Sequence, residues 1–326
     1  MKKILTFALL FCLSSTFFAQ EILMNRYAMR FMETDTGYVL INKHRYIAAN
    51  VDLSAIPDLF VPYVRGPRQL ISSATYRHIQ TKEFVFRHCE NYELTLAVDF
   101  AESDEPTPFM IYIHGGGWQR GSKNAHRLLS QYTAATGGIT GIRITYTLSG
   151  RENSNAKHSI QDVLYALEWV QNNAEKLNIN PNVFGFYGSS AGAHLAAMAA
   201  VKTPGTAVLV GQAGIYDLQT ARITTRATDP ERIRYFAHLD MDFLYAISPI
   251  NHIISGRVPR AVFLYHGSAD IIVELEQSKR LAERLSAAGS NVRLDILPNY
   301  DHNLSSSDLR ERLILNNVQF IIENLN

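Results

Sequence analysis

The sequence predicts an α/β domain built on a mostly parallel central sheet with helices on both faces. Three observations predict it. Short apolar runs recur ("FMIYIHG", "GIRITY", "VFGFYG", "AVLVG", "AVFLYHG") without strict polar alternation, which suits strands covered on both faces. Longer segments of helical period separate them, as parallel pairing through right-handed crossovers requires. The chain has 326 residues, 47% of them hydrophobic, and a formal net charge of +1. That is ample for a large core and too balanced for a nucleic-acid surface.

The chain opens with "MKKILTFALLFCLSSTFFAQ", two lysines followed by a mostly apolar run. Residues 1–19 read as a signal peptide cut after Ala19, so export to the periplasm or the medium is expected. The run is too short for a comfortable membrane span, and no integral membrane segment is expected in the mature chain. Removing it takes away Cys12 and leaves Cys89 alone. A single thiol makes neither an internal disulfide nor a cysteine zinc cluster. Residues 20–80 are an N-terminal extension. Its stretch "IPDLFVPYVRGPRQL" has the prolines and apolar residues of a lid or surface wrap, and no chemistry is assigned to it.

The main domain is expected over 81–326. "KEFVFRH" and "YELTLAVDF" alternate apolar and polar residues around Asn91, the pattern of an antiparallel hairpin with one wet face. "SIQDVLYALEWVQNNAEKL" carries Ile160, Val163, Leu164, Leu167 and Val170 on one helical stripe. Residues 218–248 break the rhythm without a clear strand. They predict a helical cap insertion over the C-terminal edge of the sheet, where ligands bind in open α/β sheets. "ELEQSKRLAERLSAAG" is a helix stopped by Gly289. The last helix opens at Asp308, with Glu311 three residues on as a capping box.

The chemistry gathers at Gly188-Ser189-Ser190-Ala191-Gly192. An apolar run precedes it and a good helix former follows, the strand–turn–helix setting of a nucleophile elbow. Flanking glycines let strand and helix close up while the serine oxygen stands clear. Ser190 is central, and Ser189 holds a flanking place. G-x-S-x-G arises by chance in roughly one chain in a dozen, so the upstream "IYIHGGGW" matters more, since H-G-G-G arises in about one in several hundred. The N–H groups of Gly116 and Gly117, with that of Ala191, can surround an oxyanion. Trp118 follows the glycines where a phosphate cradle would place a lysine and a hydroxyl, and Lys123 lies too far along. After the elbow come an acid and then a histidine. Asp270 in "FLYHGSADIIV" and His302 in "LPNYDHNLS" follow core strands and reach the same sheet edge. His266, at its strand end, reads as structural, and Asp301, adjacent to His302, is expected to diverge from it as neighbouring loop side chains often do. No histidine–carboxylate spacing suggests a metal site.

On these residues the chain resembles the α/β-hydrolase superfamily, and within it the HGGG-type carboxylesterases grouped with the hormone-sensitive-lipase-like and feruloyl/acetylxylan esterase-like families. "LTLAVDF", "PFMIYIHGGGWQRGSK", "SIQDVLYALEWVQNNAEKLNINPNVFGFYGSSAGAHLAAM", "SPINHI" and "HGSADIIV" match the family landmarks in order, from about Thr81 onward. The resemblance implies an α/β-hydrolase fold, Ser190 as nucleophile, Asp270 as acid, His302 as base, and Gly116, Gly117 and Ala191 as oxyanion donors. It implies a small-molecule or polysaccharide-linked ester as substrate and no cofactor. The family usually has Asp where Ser189 stands and Gly where Ala193 stands, and a proline-bearing segment after Tyr146 that is absent here. Those departures touch the subfamily and not the triad. Two other readings share the fold: a prolyl-oligopeptidase-like peptidase, for which the chain has no room for a propeller, and a non-catalytic binding module.

Overall fold

The computed structural model describes residues 21–24, 29–34, 37–42, 45–51, 64–65, 71, 73–151, 153–304 and 307–325. The leader at 1–19 and the Asp308 side chain of the expected capping box lie outside the described residues. The chain divides into two units, Met1–Asp58 with Pro62–Pro67, and Leu59–Val61 with Arg68–Asn326.

The first unit is an antiparallel sheet of five strands: β1 (Glu21–Met24), β2 (Met29–Thr34), β3 (Gly37–Asn42), β4 (Arg45–Val51) and β5 (Val64–Arg65). Their order is β4-β3-β2-β1-β5. The sequence reading found no strands here. The runs are short and interrupted, and β3 and β4 pair with register shifts around Leu40, so no long alternating pattern marks them.

The second unit holds an eight-stranded sheet. After α1 (Ser73–Tyr76), the hairpin β6 (Thr81–His88) and β7 (Glu93–Asp99) leads into β8 (Thr107–Ile113), α2 (Arg127–Gly137) and β9 (Thr140–Ile144). Then follow α3 (Ala156–Asn172), α4 (Ala174–Leu177), β10 (Ile179–Ser189), α5 (Ala191–Lys202) and β11 (Val208–Gln212). The short helices α6 (Arg222–Thr225), α7 (Pro230–Tyr235) and α8 (Met241–Ala246) form the insertion before β12 (Ala261–Gly267). The chain continues through α9 (Leu275–Ala287), β13 (Asn291–Leu297) and α10 (Ser307–Leu325). The strand order is β13-β12-β11-β10-β8-β9-β7-β6. Pairing is parallel from β13 to β9, and β7 runs antiparallel to both β9 and β6.

Alternate residues along the strands face different helices, as the period of two dictates. Phe109, Ile111 and Ile113 of β8 join the buried cluster that holds Ile160, Val163, Leu167 and Val170 of α3 and most of α5. On the other face Phe263 meets Phe320 of α10 at 5.3 Å between centroids, and Asn317 Nδ2 donates to the Tyr265 hydroxyl at 3.1 Å. Helix α3 starts earlier than its apolar stripe announces. Asn155 caps it by accepting from the Lys157 N–H at 3.0 Å, and His158 Nδ1 accepts from the Asn155 N–H at 3.1 Å, a capping box closed by histidine.

Asp99 and Arg143 tie the hairpin to the sheet. Arg143 Nε and Nη2 donate to the two Asp99 oxygens at 2.7 and 3.0 Å, a bidentate pair shut off from solvent. Thr81 and Ser130 hydroxyls donate to the same carboxylate at 2.6 and 2.5 Å. Removing one charge from such a pair leaves the other buried and unpaired, which costs about 3–5 kcal/mol. Arg143→Leu is therefore expected to lower stability by that amount in urea denaturation. The double change Asp99→Leu with Arg143→Leu should lose less than Arg143→Leu alone. A single variant as stable as the parent would refute this account.

Candidate active site

The site is built where β10 turns into α5. Ser190 sits in that turn with φ 53 and ψ −121, a conformation that L-residues rarely hold. Two contacts enforce it. The Ser190 N–H donates to the Gln212 carbonyl at 2.7 Å, and Ser190's own carbonyl accepts the first α5 bonds from Ala193 and His194. Gly192 passes against β8, where a Cβ would come within 2.2 Å of the Ile113 carbonyl oxygen. Only glycine fits there.

Strand ends and loops deliver the partners. His302 Nε2 lies 2.9 Å from Ser190 Oγ, and His302 Nδ1 lies 2.6 Å from Asp270 Oδ2. The carboxylate only accepts, so Nδ1 carries the proton. The Nε2 lone pair is then free for the serine hydroxyl. Asp270 Oδ1 accepts the N–H groups of Ile272 and Val273 at 2.8 and 2.9 Å. Burial opposes the charge on Asp270, but hydrogen bonds from His266, His302 and Val273 outweigh it and hold the carboxyl well below the usual carboxylate range.

The expected oxyanion donors lie at both sides of this turn. Gly116 and Gly117 have φ +111 and +63, and Ala191 is the first residue of α5. Among the described residues none of these three N–H groups has a hydrogen-bond partner. Trp118 anchors the loop. It is fully buried, its Nε1–H donates to His194 Nδ1 at 3.2 Å, and its ring meets Phe236 edge-on at 5.1 Å. His194 Nε2–H donates to the Ile247 carbonyl at 2.7 Å, which fixes the tautomer. On the loop's first residue, the Tyr146 hydroxyl donates to the His114 carbonyl at 3.0 Å.

Ser189 does not join this group. Its Oγ lies 3.2 Å from Nε2 of the half-buried His126. Asp301 accepts from the Asn303 N–H at 3.1 Å. His266 was read as structural, yet its Nε2 stands 3.1 Å from Asp270 Oδ2 and its Nδ1 2.8 Å from Ser278 Oγ. Apolar runs say nothing about such a neighbour.

The family model described as BD-FAE matches residues 98–285. Esterase LipC of Mycobacterium tuberculosis is 28% identical over 232 residues, 63% of this chain and 55% of that protein. Esterase LipQ of the same organism is 30% identical over 232 residues, 64% of this chain and 53% of that protein. The chain thus spans about half the length of these curated relatives, 55% and 53%. Among solved structures, a thermophilic esterase from Thermogutta terrifontis superposes with a TM-score of 0.63 at 24% identity, covering 75% of this chain and 92% of that one. The fold is that of the α/β-hydrolases.

Burial lowers the His194 imidazole to about 4. An unfolded histidine titrates near 6.5. The depressed value gives a stability contribution that is full above about pH 6.5 and lost as the pH falls toward about 4. His194→Gln should flatten this part of the acid limb in urea midpoints taken from pH 7 to pH 4. An unchanged slope between those values would refute the assignment.

Proposed function

The chain belongs to the BD-FAE family, and from that premise and the geometry at Ser190 we propose a serine hydrolase that cleaves carboxylic esters through an acyl-enzyme. One observation carries the reading: the continuous hydrogen-bonded chain from Ser190 Oγ through His302 to Asp270, at 2.9 and 2.6 Å, with the serine raised on a strained turn. His302 takes the serine proton as Oγ attacks the ester carbonyl. Asp270, held ionised, stabilises the imidazolium that results. The oxyanion rests on the Gly116, Gly117 and Ala191 N–H groups, with the start of α5 adding its favourable dipole. His302 then returns the proton to the leaving alcohol. A water activated at the same nitrogen clears the acyl group. The esterase names of the Mycobacterium relatives agree with this chemistry. A short acyl group, on a small or carbohydrate-linked alcohol, is the proposed substrate class.

Export is proposed from the first twenty residues. N-terminal sequencing of secreted protein should read Gln20 first, and a retained Met1 in active secreted protein would oppose it.

Ser190→Ala should lower kcat on p-nitrophenyl acetate by roughly 10⁴-fold or more, and Asp270→Asn by about 10³–10⁴-fold. Turnover near the parent rate in Ser190→Ala would sink the assignment.

A further inference from the structure

Helix α7 of the insertion is tied to the body through its polar side chains. Asp229 caps it, accepting from the Glu231 N–H at 3.0 Å, and its other oxygen accepts from Gln119 Nε2 at 2.6 Å. Glu231 accepts from the Ser149 hydroxyl. Arg234 donates to the carbonyls of Ser149 and Ser154. The Tyr235 hydroxyl meets Ser159 Oγ at 2.6 Å.

Arg232 is the exception. Among the described residues its side chain makes no hydrogen bond or ion pair, and its Nε is sealed from solvent without a partner. Its Nη2 is the sole heavy atom near the open side of Gly117: it would lie 3.9 Å from a Cβ built there, with nothing else within 4 Å. The guanidinium therefore stands beside the side-chain face of Gly117, within van der Waals range of where a Cβ would be. Asp229 acts on this cation only at a distance, without an ion pair: its two oxygens accept from Gln119 and from the Glu231 N–H, while Glu231 accepts from Ser149. A partly desolvated cation with unmet donors is unfavourable until an anion reaches it.

We propose that Arg232 is a substrate-binding residue that receives a carboxylate carried by the ester. This rests on the esterase reading above. One cation matches a monoanion, and a guanidinium offers a carboxylate charge-assisted hydrogen bonds in a fixed plane. The carboxylate can sit on the acyl side or the alcohol side of the scissile bond, and the test separates them.

Two substrate pairs read the contact. Mono-p-nitrophenyl adipate against p-nitrophenyl hexanoate, matched in chain length, places the charge on the acyl side. 4-Acetoxybenzoate against phenyl acetate places it on the alcohol side. Arg232→Gln should lower the anionic-to-neutral ratio of kcat/KM for one pair by roughly tenfold or more. Arg232→Lys should keep part of that ratio, and Arg232→Glu should lower it further. The pair that moves identifies the side. The proposal is overturned when neither ratio moves, or when anionic and neutral esters fall together in Arg232→Gln. Turnover of the neutral esters by the parent protein tests the esterase reading separately. Binding of the two anionic esters to Ser190→Ala, with and without Arg232→Gln, reads the same contact without turnover. A roughly tenfold weaker affinity for one of them is expected, and equal affinities for both overturn the proposal.

Discussion

Where α5 leaves β10, Gly192 runs so near the end of β8 that a Cβ would lie 2.2 Å from the Ile113 carbonyl oxygen and 2.5 Å from that of His114. This backbone-to-backbone passage sets two parts of the site together. It holds the turn tight enough to keep Ser190 at φ 53, and it fixes where β8 hands over to the loop of Gly115, Gly116 and Gly117. A strained serine costs on the order of 1–3 kcal/mol. The surrounding packing must over-determine it. Helix α5 supplies that packing, buried from Ala191 to Val201 and made largely of alanine. Small side chains let the helix axis approach the sheet, and the Trp118–His194 hydrogen bond then ties the loop after β8 to α5.

Around this turn lie three histidines that burial keeps neutral. His114 and His194 are lowered from the ordinary value, His194 to about 4, and His126 falls to about 3. Each holds a neighbour in place: His114 stacks on Tyr146, His126 contacts Ser189, and His194 joins Trp118 to the Ile247 carbonyl. Asp270 shows the opposite balance. It is sealed from solvent too, yet His302, His266 and two backbone N–H groups point at it. Hydrogen-bond donors, and not exposure, decide that it stays ionised.

The strands of the second unit were legible because burial on both faces writes itself as uninterrupted apolar runs, as in β8 and β12. Ser190 and Asp270 were legible because each follows such a run, and His302 because it comes after the next strand in the chain order an elbow demands. Other parts left no comparable mark. The strands β1 to β5 are short and pair with irregular register, so no period accumulates. The role of His266 depends on a neighbour four residues on whose direction only the loop geometry sets. The α3 cap escaped because His158 is an unusual partner for a capping asparagine. Arg232 was invisible for a different reason: what distinguishes it is the absence of a partner, and a sequence does not record which side chains are left unpaired.

The insertion is coupled to the oxyanion loop through side chains on both. Gln119 of the loop bonds Asp229 at the start of α7, while Trp118 packs on Tyr235 and Phe236 at its end. Within the same few residues the body also holds α7 through Ser149, Ser154 and Ser159. A change at Gln119, Trp118 or Asp229 therefore disturbs the Gly116–Gly117 loop, proposed to hold the oxyanion, along with the cap. Arg232 stands outside this lattice of hydrogen bonds, with its Nη2 beside Gly117. On the proposed reading it is the position on α7 where the charge presented to a substrate can change while the cap stays anchored to the loop of Gly116 and Gly117.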